Sequence, residues 1–232
     1  LSLIVVGIVL LSKSCTITTA YFQYFRLVLH WPFSYCSLPD SKCKRTPLPS
    51  IFTIHGLWPN NYSQPLSDCN ILVPFTNIYD QPLLQRMMRS WPDLNQPMNT
   101  GPSHNFWSYQ WKKHGSCSLP RYSQTSYLFK ALELYDRFNV LQILTDGRLA
   151  PGDNYTVSQI NITIIQEIGA IPTVKCRSGF LTEVVICFDR RGKAVINCPF
   201  QFSYPCTDAK VEFPISGPPV TPLLHINIKD RI

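Results

Sequence analysis

Glycine is scarce in this chain, with 10 in 232 residues, and methionine scarcer still, with 3. The glycines stand singly, and no glycine–serine linker, internal repeat or low-complexity run divides the sequence. A string of flexibly joined modules is thereby excluded. Charge is also sparse, at 15% of residues, and the acids are outnumbered by 21 Lys and Arg to 14, for a formal net charge of +7. Such an excess favours a polyanion, but it suits a cell-wall or membrane surface equally, so charge alone assigns nothing. Long hydrophobic runs are missing: the apolar stretch from Leu1 to Leu11 is too short to span a bilayer, and no later one is long enough. Metal-ligand spacing is incomplete, because His114-x-x-Cys117 has no second pair to match it. Neither a metal nor an organic cofactor is expected.

What the chain does carry starts with an apolar segment closing on Thr18-Thr19-Ala20, a small-residue exit that a signal peptidase accepts. Residues 1–20 therefore read as part of a signal peptide, residues 21–213 as one domain, and residues 214–232 as an extension rich in proline (Pro214, Pro218, Pro219, Pro222). Of the 9 cysteines, Cys15 falls in the leader. The remainder is an even set: Cys36, Cys43, Cys69, Cys117, Cys176, Cys187, Cys198 and Cys206. In a chain entering an oxidising compartment this reads as four disulfides, whose pairing the spacing leaves open.

Apolar patterning predicts short strands at 25–31 and 50–55, the second delivering His55 at its end. Asp80 followed by Pro82 marks a helix start for 82–91. Tyr127, Leu128, Ala131, Leu134, Tyr135, Phe138 and Leu141 recur at helical spacing and predict one helix over 124–144, with that stripe in the core. A helix over 156–169 follows, then strands Val184–Phe188 and Lys193–Asn197 around an Arg190-Arg191-Gly192 turn. The expected fold class is α+β: a single domain with a central antiparallel sheet, several helices and four disulfide staples.

Two segments put a histidine beside a glycine inside an aromatic, cationic frame. They are Phe52-Thr53-Ile54-His55-Gly56-Leu57-Trp58-Pro59 and Phe106-Trp107-Ser108-Tyr109-Gln110-Trp111-Lys112-Lys113-His114-Gly115-Ser116-Cys117. A lone histidine is more often a buried, hydrogen-bonded core residue. A framed pair is what metal-free proton transfer to and from oxygen needs. Lysine and ring faces beside it suit an anionic, base-bearing substrate. The second segment is expected on a helix, with Gln110, Lys113 and His114 sharing a face.

These segments resemble the two active-site signatures of the T2 family of secretory ribonucleases, FTIHGLWP and FWxxEWxKHGTC. Eight contiguous residues fit the first, and Phe106, Trp107, Trp111, Lys113, His114, Gly115 and Cys117 keep the spacing of the second. The likeness runs from Tyr21 to Pro214, and within the family it is greatest to the self-incompatibility ribonucleases of flowering plants. It implies pairings Cys36–Cys43, Cys69–Cys117, Cys176–Cys206 and Cys187–Cys198. It also implies cleavage of single-stranded RNA by transesterification through a 2′,3′-cyclic phosphate, with His114 as general base, His55 as general acid and Lys113 stabilising the crowded phosphorane. The residues themselves leave open which imidazole takes which role.

Two positions depart from the family pattern. Its glutamate is Gln110 here, which hydrogen-bonds but carries no charge, and its frequent third histidine is Tyr109. Trp58 is expected to wall or stack on the substrate, with a packing role as the alternative, and His30 stands where the family has a base-contacting glutamine. Asn61-Tyr62-Ser63, Asn154-Tyr155-Thr156 and Asn161-Ile162-Thr163 are glycosylation sequons. The resemblance places the allele-distinguishing hypervariable region at about Asn61 to Met88. It implies a monomer without stable membrane association, secreted into the style matrix and taken up by pollen tubes. There its partners would be RNA and a pollen F-box protein of a ubiquitin ligase. A vacuolar or extracellular scavenging or defence ribonuclease, and a non-catalytic recognition protein of the same fold, are the alternatives.

Overall fold

The computed structural model describes residues 22–69, 72–199, 206 and 209–217. The expected leader, and the extension from residue 218 onward, lie outside the described residues.

The central strand β1 (Tyr24–His30) is buried along its whole length. It pairs antiparallel on one side with β2 (Thr53–Asn60) and on the other with β5 (Phe180–Asp189). β4 (Thr173–Arg177) and the short β6 (Val195–Ile196) also pair antiparallel with β5. β7 (Lys210–Phe213) joins β5 through one parallel bridge at Phe180 and Glu212, and β3 (Asp153–Thr156) pairs with β7. The sheet is therefore mixed at this one point rather than wholly antiparallel. The four disulfides are Cys36–Cys43, Cys69–Cys117, Cys176–Cys206 and Cys187–Cys198.

Period-two alternation along β1 sorts its side chains. Phe25, Leu27 and Leu29 enter the main core, with Leu57 and Ile54 from β2 and Val184, Ile186 and Phe188 from β5. Helices cover that face: α2 (Gln81–Ser90), α3 (His104–Lys113), α4 (Gln124–Asp136), α5 (Val140–Asp146) and α6 (Val157–Ile168), with the short α1 (Pro32–Cys36) just after β1. Each of α2, α4, α5 and α6 opens on a side-chain cap, from Asp80, Ser123, Asn139 and Thr156. The opposite sheet face carries a smaller cluster of Tyr24, Val28, Val185 and Cys187, against which Trp58 packs.

Several expectations are corrected. The helix read over 124–144 is two helices, broken at Arg137–Asn139, because the Asn139 side chain accepts from the Gln142 N–H and starts a new N-terminus. The strand at 50–55 begins at Thr53 and runs on to Asn60. Its Pro59 is tolerated because β2 is the edge strand. β5 is longer than expected, and β6 shorter. His114 lies past the end of α3, with φ −127° and ψ −53°, and leads into a 3₁₀ turn at Gly115–Ser118. The first residue of the proline-rich segment is docked: the Pro214 carbonyl accepts from the Trp31 indole N–H at 2.8 Å.

An edge strand exposes carbonyls that can template unwanted pairing. Here side chains occupy them. The Trp91 indole donates to the His55 carbonyl at 3.0 Å, and the Tyr127 hydroxyl donates to the Leu57 carbonyl at 2.6 Å. Two carbonyls of the strand that bears His55 are thus held by side chains from the helical layer.

Candidate active site

β2 does not run evenly beside β1. Val28 faces Gly56 and Leu29 faces Ile54, which leaves His55 as an extra residue in a β-bulge. A bulge breaks the alternation and re-aims a side chain. His55 is turned onto the face that also carries Trp58, which stands opposite Arg26 of β1. Its Nδ1 meets the Glu183 carboxylate at 2.6 Å, and its ring contacts the Trp58 indole edge-on at 5.3 Å.

The second motif reaches the same indole. The imidazole of His114 stacks on Trp58 with centroids 4.7 Å apart and planes 25° apart. The Trp58 Nε1–H donates to Gln110 Oε1 at 3.1 Å. Gly56 makes this crossing possible: a Cβ there would collide with Trp58 Nε1 and Gln110 Oε1. Gly115 has a different reason, since its Cβ would stand 2.6 Å from the Trp111 ring and 2.8 Å from Tyr127. One glycine opens the cleft, and the other lets the turn sit on the core.

The electrostatics differ between the imidazoles. Burial, then the charges of His55 and Lys113, press the His114 pKa down to about 3, against a weak opposing pull from Asp68. Its Nδ1 is buried with no hydrogen-bond partner among the described residues. This imidazole is neutral at physiological pH. Glu183 feels burial first, which raises its pKa, but its hydrogen bond to His55 and the charges of His55 and Lys175 outweigh that and hold it well below the carboxylate range. Lys175 Nζ lies 2.7 Å from Glu183 and 5.4 Å from the centroid of the Trp58 ring. Lys113 pairs with Asp68 at 3.0 Å, and the Lys113 pKa is raised by that hydrogen bond. The Cys69–Cys117 disulfide ties Asp68's loop to the turn after His114.

Of the residues singled out from sequence, His55, Trp58, Gln110 and His114 form one continuous cluster, with Lys113 at its rim. Tyr109 is exposed one turn before Lys113. His30 is only 4% exposed, its ring stacked between Tyr35 and His55 at 5.5 Å each, and burial takes its pKa to about 3. It stands behind His55 rather than in the cleft. Sequence reasoning missed Glu183, Lys175, Arg26 and Asp68. For Glu183 a signal existed, since it is an acid inside the apolar run Leu181–Phe188 of β5. Among the described residues, no group of three His, Cys, Asp or Glu side chains stands at metal-binding spacing.

Residues 22–198 match the sequence model of the Ribonuclease T2 family. The chain is 50% identical over 215 residues to Ribonuclease S-2 of Antirrhinum hispanicum, covering 92% of this chain and 91% of that protein. The fold is similar to that of the SF11-RNase associated with gametophytic self-incompatibility in Nicotiana alata. Its TM-score is 0.75 at 34% identity, over 84% of this chain and 100% of that one. RNase NT, solved in complex with 5′-AMP, gives a TM-score of 0.74 at 29% identity, over 84% of this chain and 98% of that one.

Proposed function

The chain belongs to the ribonuclease T2 family and is an endoribonuclease, and on that premise we propose that His114 and His55 cleave single-stranded RNA as a base–acid pair. The observation that carries this reading is that both imidazoles contact one indole, Trp58, while among the described residues His55 alone of the two rests on a carboxylate. Proximity lets a single phosphodiester be worked on by both. The asymmetry supports a division of labour.

RNA supplies its own nucleophile, the 2′-hydroxyl beside the scissile phosphate. Neutral His114 takes that proton, and the 2′-oxygen attacks phosphorus. His55, with Nδ1 committed to Glu183, presents Nε2–H and delivers its proton to the departing 5′-oxygen. The 2′,3′-cyclic phosphate is then opened by water with the roles reversed, leaving a 3′-phosphate. Lys113 stabilises the anionic phosphorane once the phosphate draws it from its exposed partner Asp68. Gln110 acts through the Trp58 N–H, fixing the indole that both rings contact. Tyr109 offers the substrate a neutral hydrogen bond at the rim.

The even set of cysteines, all disulfide-bonded, and the two similar ribonucleases linked to S-alleles or self-incompatibility support a secreted role in the style. In that role the enzyme acts as a cytotoxin within pollen tubes and is recognised by an F-box protein. Asn154 is exposed and open to a glycan. Assay of the purified protein on RNA at mildly acid pH beside His114→Ala tests the chemistry, and equal rates for the two overturn it. Expression outside the style would remove the self-incompatibility role and leave the ribonuclease.

A further inference from the structure

The side chain best built into the site is one whose part in the reaction is so far unassigned. Glu183 is an acid within a largely apolar strand, and each of its carboxylate oxygens has a partner: Oε1 with His55 Nδ1 at 2.6 Å, Oε2 with Lys175 Nζ at 2.7 Å. Among the described residues it is the carboxylate hydrogen-bonded to either imidazole of the cluster. The sheet register explains how. Glu183 lies opposite His30 on β1 and opposite Lys175 on β4, so the three side chains form a row across one face. His55, released from its strand's alternation by the bulge, reaches over the His30 ring to join that row.

A second bulge fixes the carboxylate's own backbone. Lys175 pairs with Glu183 but Cys176 pairs with Leu181, so Thr182 is the extra residue. Its hydroxyl donates to the Lys175 carbonyl at 3.0 Å, and its carbonyl accepts from the Trp31 N–H at 3.0 Å. The imidazole thus stands in one bulge and the acid directly beside another, and the two side chains meet. An ion pair between Glu183 and Lys175 alone would not need the bulge at His55.

We propose that Glu183, anchored by Lys175, is the positioning residue of the proton donor, fixing the His55 ring so that Nδ1–H points at the carboxylate and Nε2–H faces the cleft. In the cleavage step the P–O5′ bond breaks, its electron pair stays on oxygen, and that oxygen takes the Nε2 proton. His55 is left neutral, still donating Nδ1–H to Glu183. Buried and stacked beneath, His30 is the floor that stops the ring from turning away. This inference rests on His55 being the acid, and the test separates the two.

The substrates are an RNA dinucleoside phosphate, whose 5′-hydroxyl leaving group needs a proton, and a uridine 3′-aryl phosphate, whose phenolate leaves without one. Glu183→Gln in the purified full chain is expected to lower kcat on the dinucleoside about 10- to 100-fold, within the range of general acid catalysis, with KM little changed and the aryl ester nearly unaffected. Glu183→Asp keeps the charge and recovers part of that loss, and it serves if the Gln variant does not fold. The double variant with His55→Ala should be no slower than His55→Ala alone. Wild-type rates for E183Q on the dinucleoside, or equal losses on both substrates, overturn the positioning role. If His55→Ala itself loses both substrates equally, the donor assignment falls instead.

Discussion

His55 sits on a strand and His114 at the end of a helix, and the two rings meet their surroundings in opposite ways. One is half-exposed with its inner nitrogen 2.6 Å from a carboxylate. The other lies flat on an indole, with its buried nitrogen unpartnered among the described residues and its pKa pressed to about 3 by burial first and neighbouring positive charge second. Burial and nearby positive charge keep the His114 ring neutral, whereas the contact with Glu183 fixes the orientation of the His55 ring. The same contrast appears in the two glycines. Gly56 clears room for a hydrogen bond inside the cleft, whereas Gly115 clears room for a turn against the core.

The largest effect should come from removing the base. His114→Ala is expected to slow cleavage by about 10²- to 10⁴-fold on both the dinucleoside and the aryl ester, because an activated leaving group does not help a missing base. Steady-state kinetics with the two substrates would check this, and rescue on the aryl ester would exchange the roles of the rings.

The glycines come next. Gly56→Ala should push Trp58 from Gln110 and cost both activity and about 1–3 kcal/mol of stability by overpacking. Gly115→Ala should cost a similar amount of stability through Trp111 and Tyr127. Of the two, only the first directly disturbs the indole that both imidazoles contact. Thermal melts beside kcat measurements distinguish them, and a fully active Gly56→Ala would break the comparison.

Gln110→Glu sharpens it. A carboxylate at the Trp58 N–H, near the His114 stack, favours the charged imidazole, so the acid limb of kcat/KM should move to higher pH. An unmoved limb would mean that this position does not sense the base.

The smallest effect concerns stability. His30 and His114 both have pKa values near 3 in the fold against an ordinary 6.5. Between those values the unfolded chain binds protons that the folded chain refuses, so stability falls as pH drops from about 6.5 toward 3. Glu183, whose pKa is held low, acts in the same direction below the ordinary carboxylate value of 4.5. His30→Phe should flatten the dependence of Tm on pH over that window, and an unchanged slope would show that His30 does not contribute.

Much of the site was legible because its chemistry is packed into two short segments. Histidine, lysine and tryptophan at fixed spacing mark function wherever the chain folds. The rest was hidden for specific reasons. The stripe from Tyr127 to Leu141 keeps helical spacing across the break at Arg137–Asn139, so periodicity could not reveal that Asn139 starts a new helix. Glu183 lies 128 residues from His55, and no local pattern joins them. His30 occupied a position suggestive of base contact, yet its strand is buried along its length.

By itself the sequence determined the residue types capable of moving protons, the apolar strands and helix faces that must be buried, and a cysteine set fit for disulfides. Those follow from side-chain chemistry and from the periods of strand and helix, which are local. Only the tertiary structure decided which ring is neutral and which rests on a carboxylate. That choice depends on a single extra residue in a strand pairing and on side chains brought across a sheet from distant parts of the chain, because proton affinity is set by what surrounds a group in space.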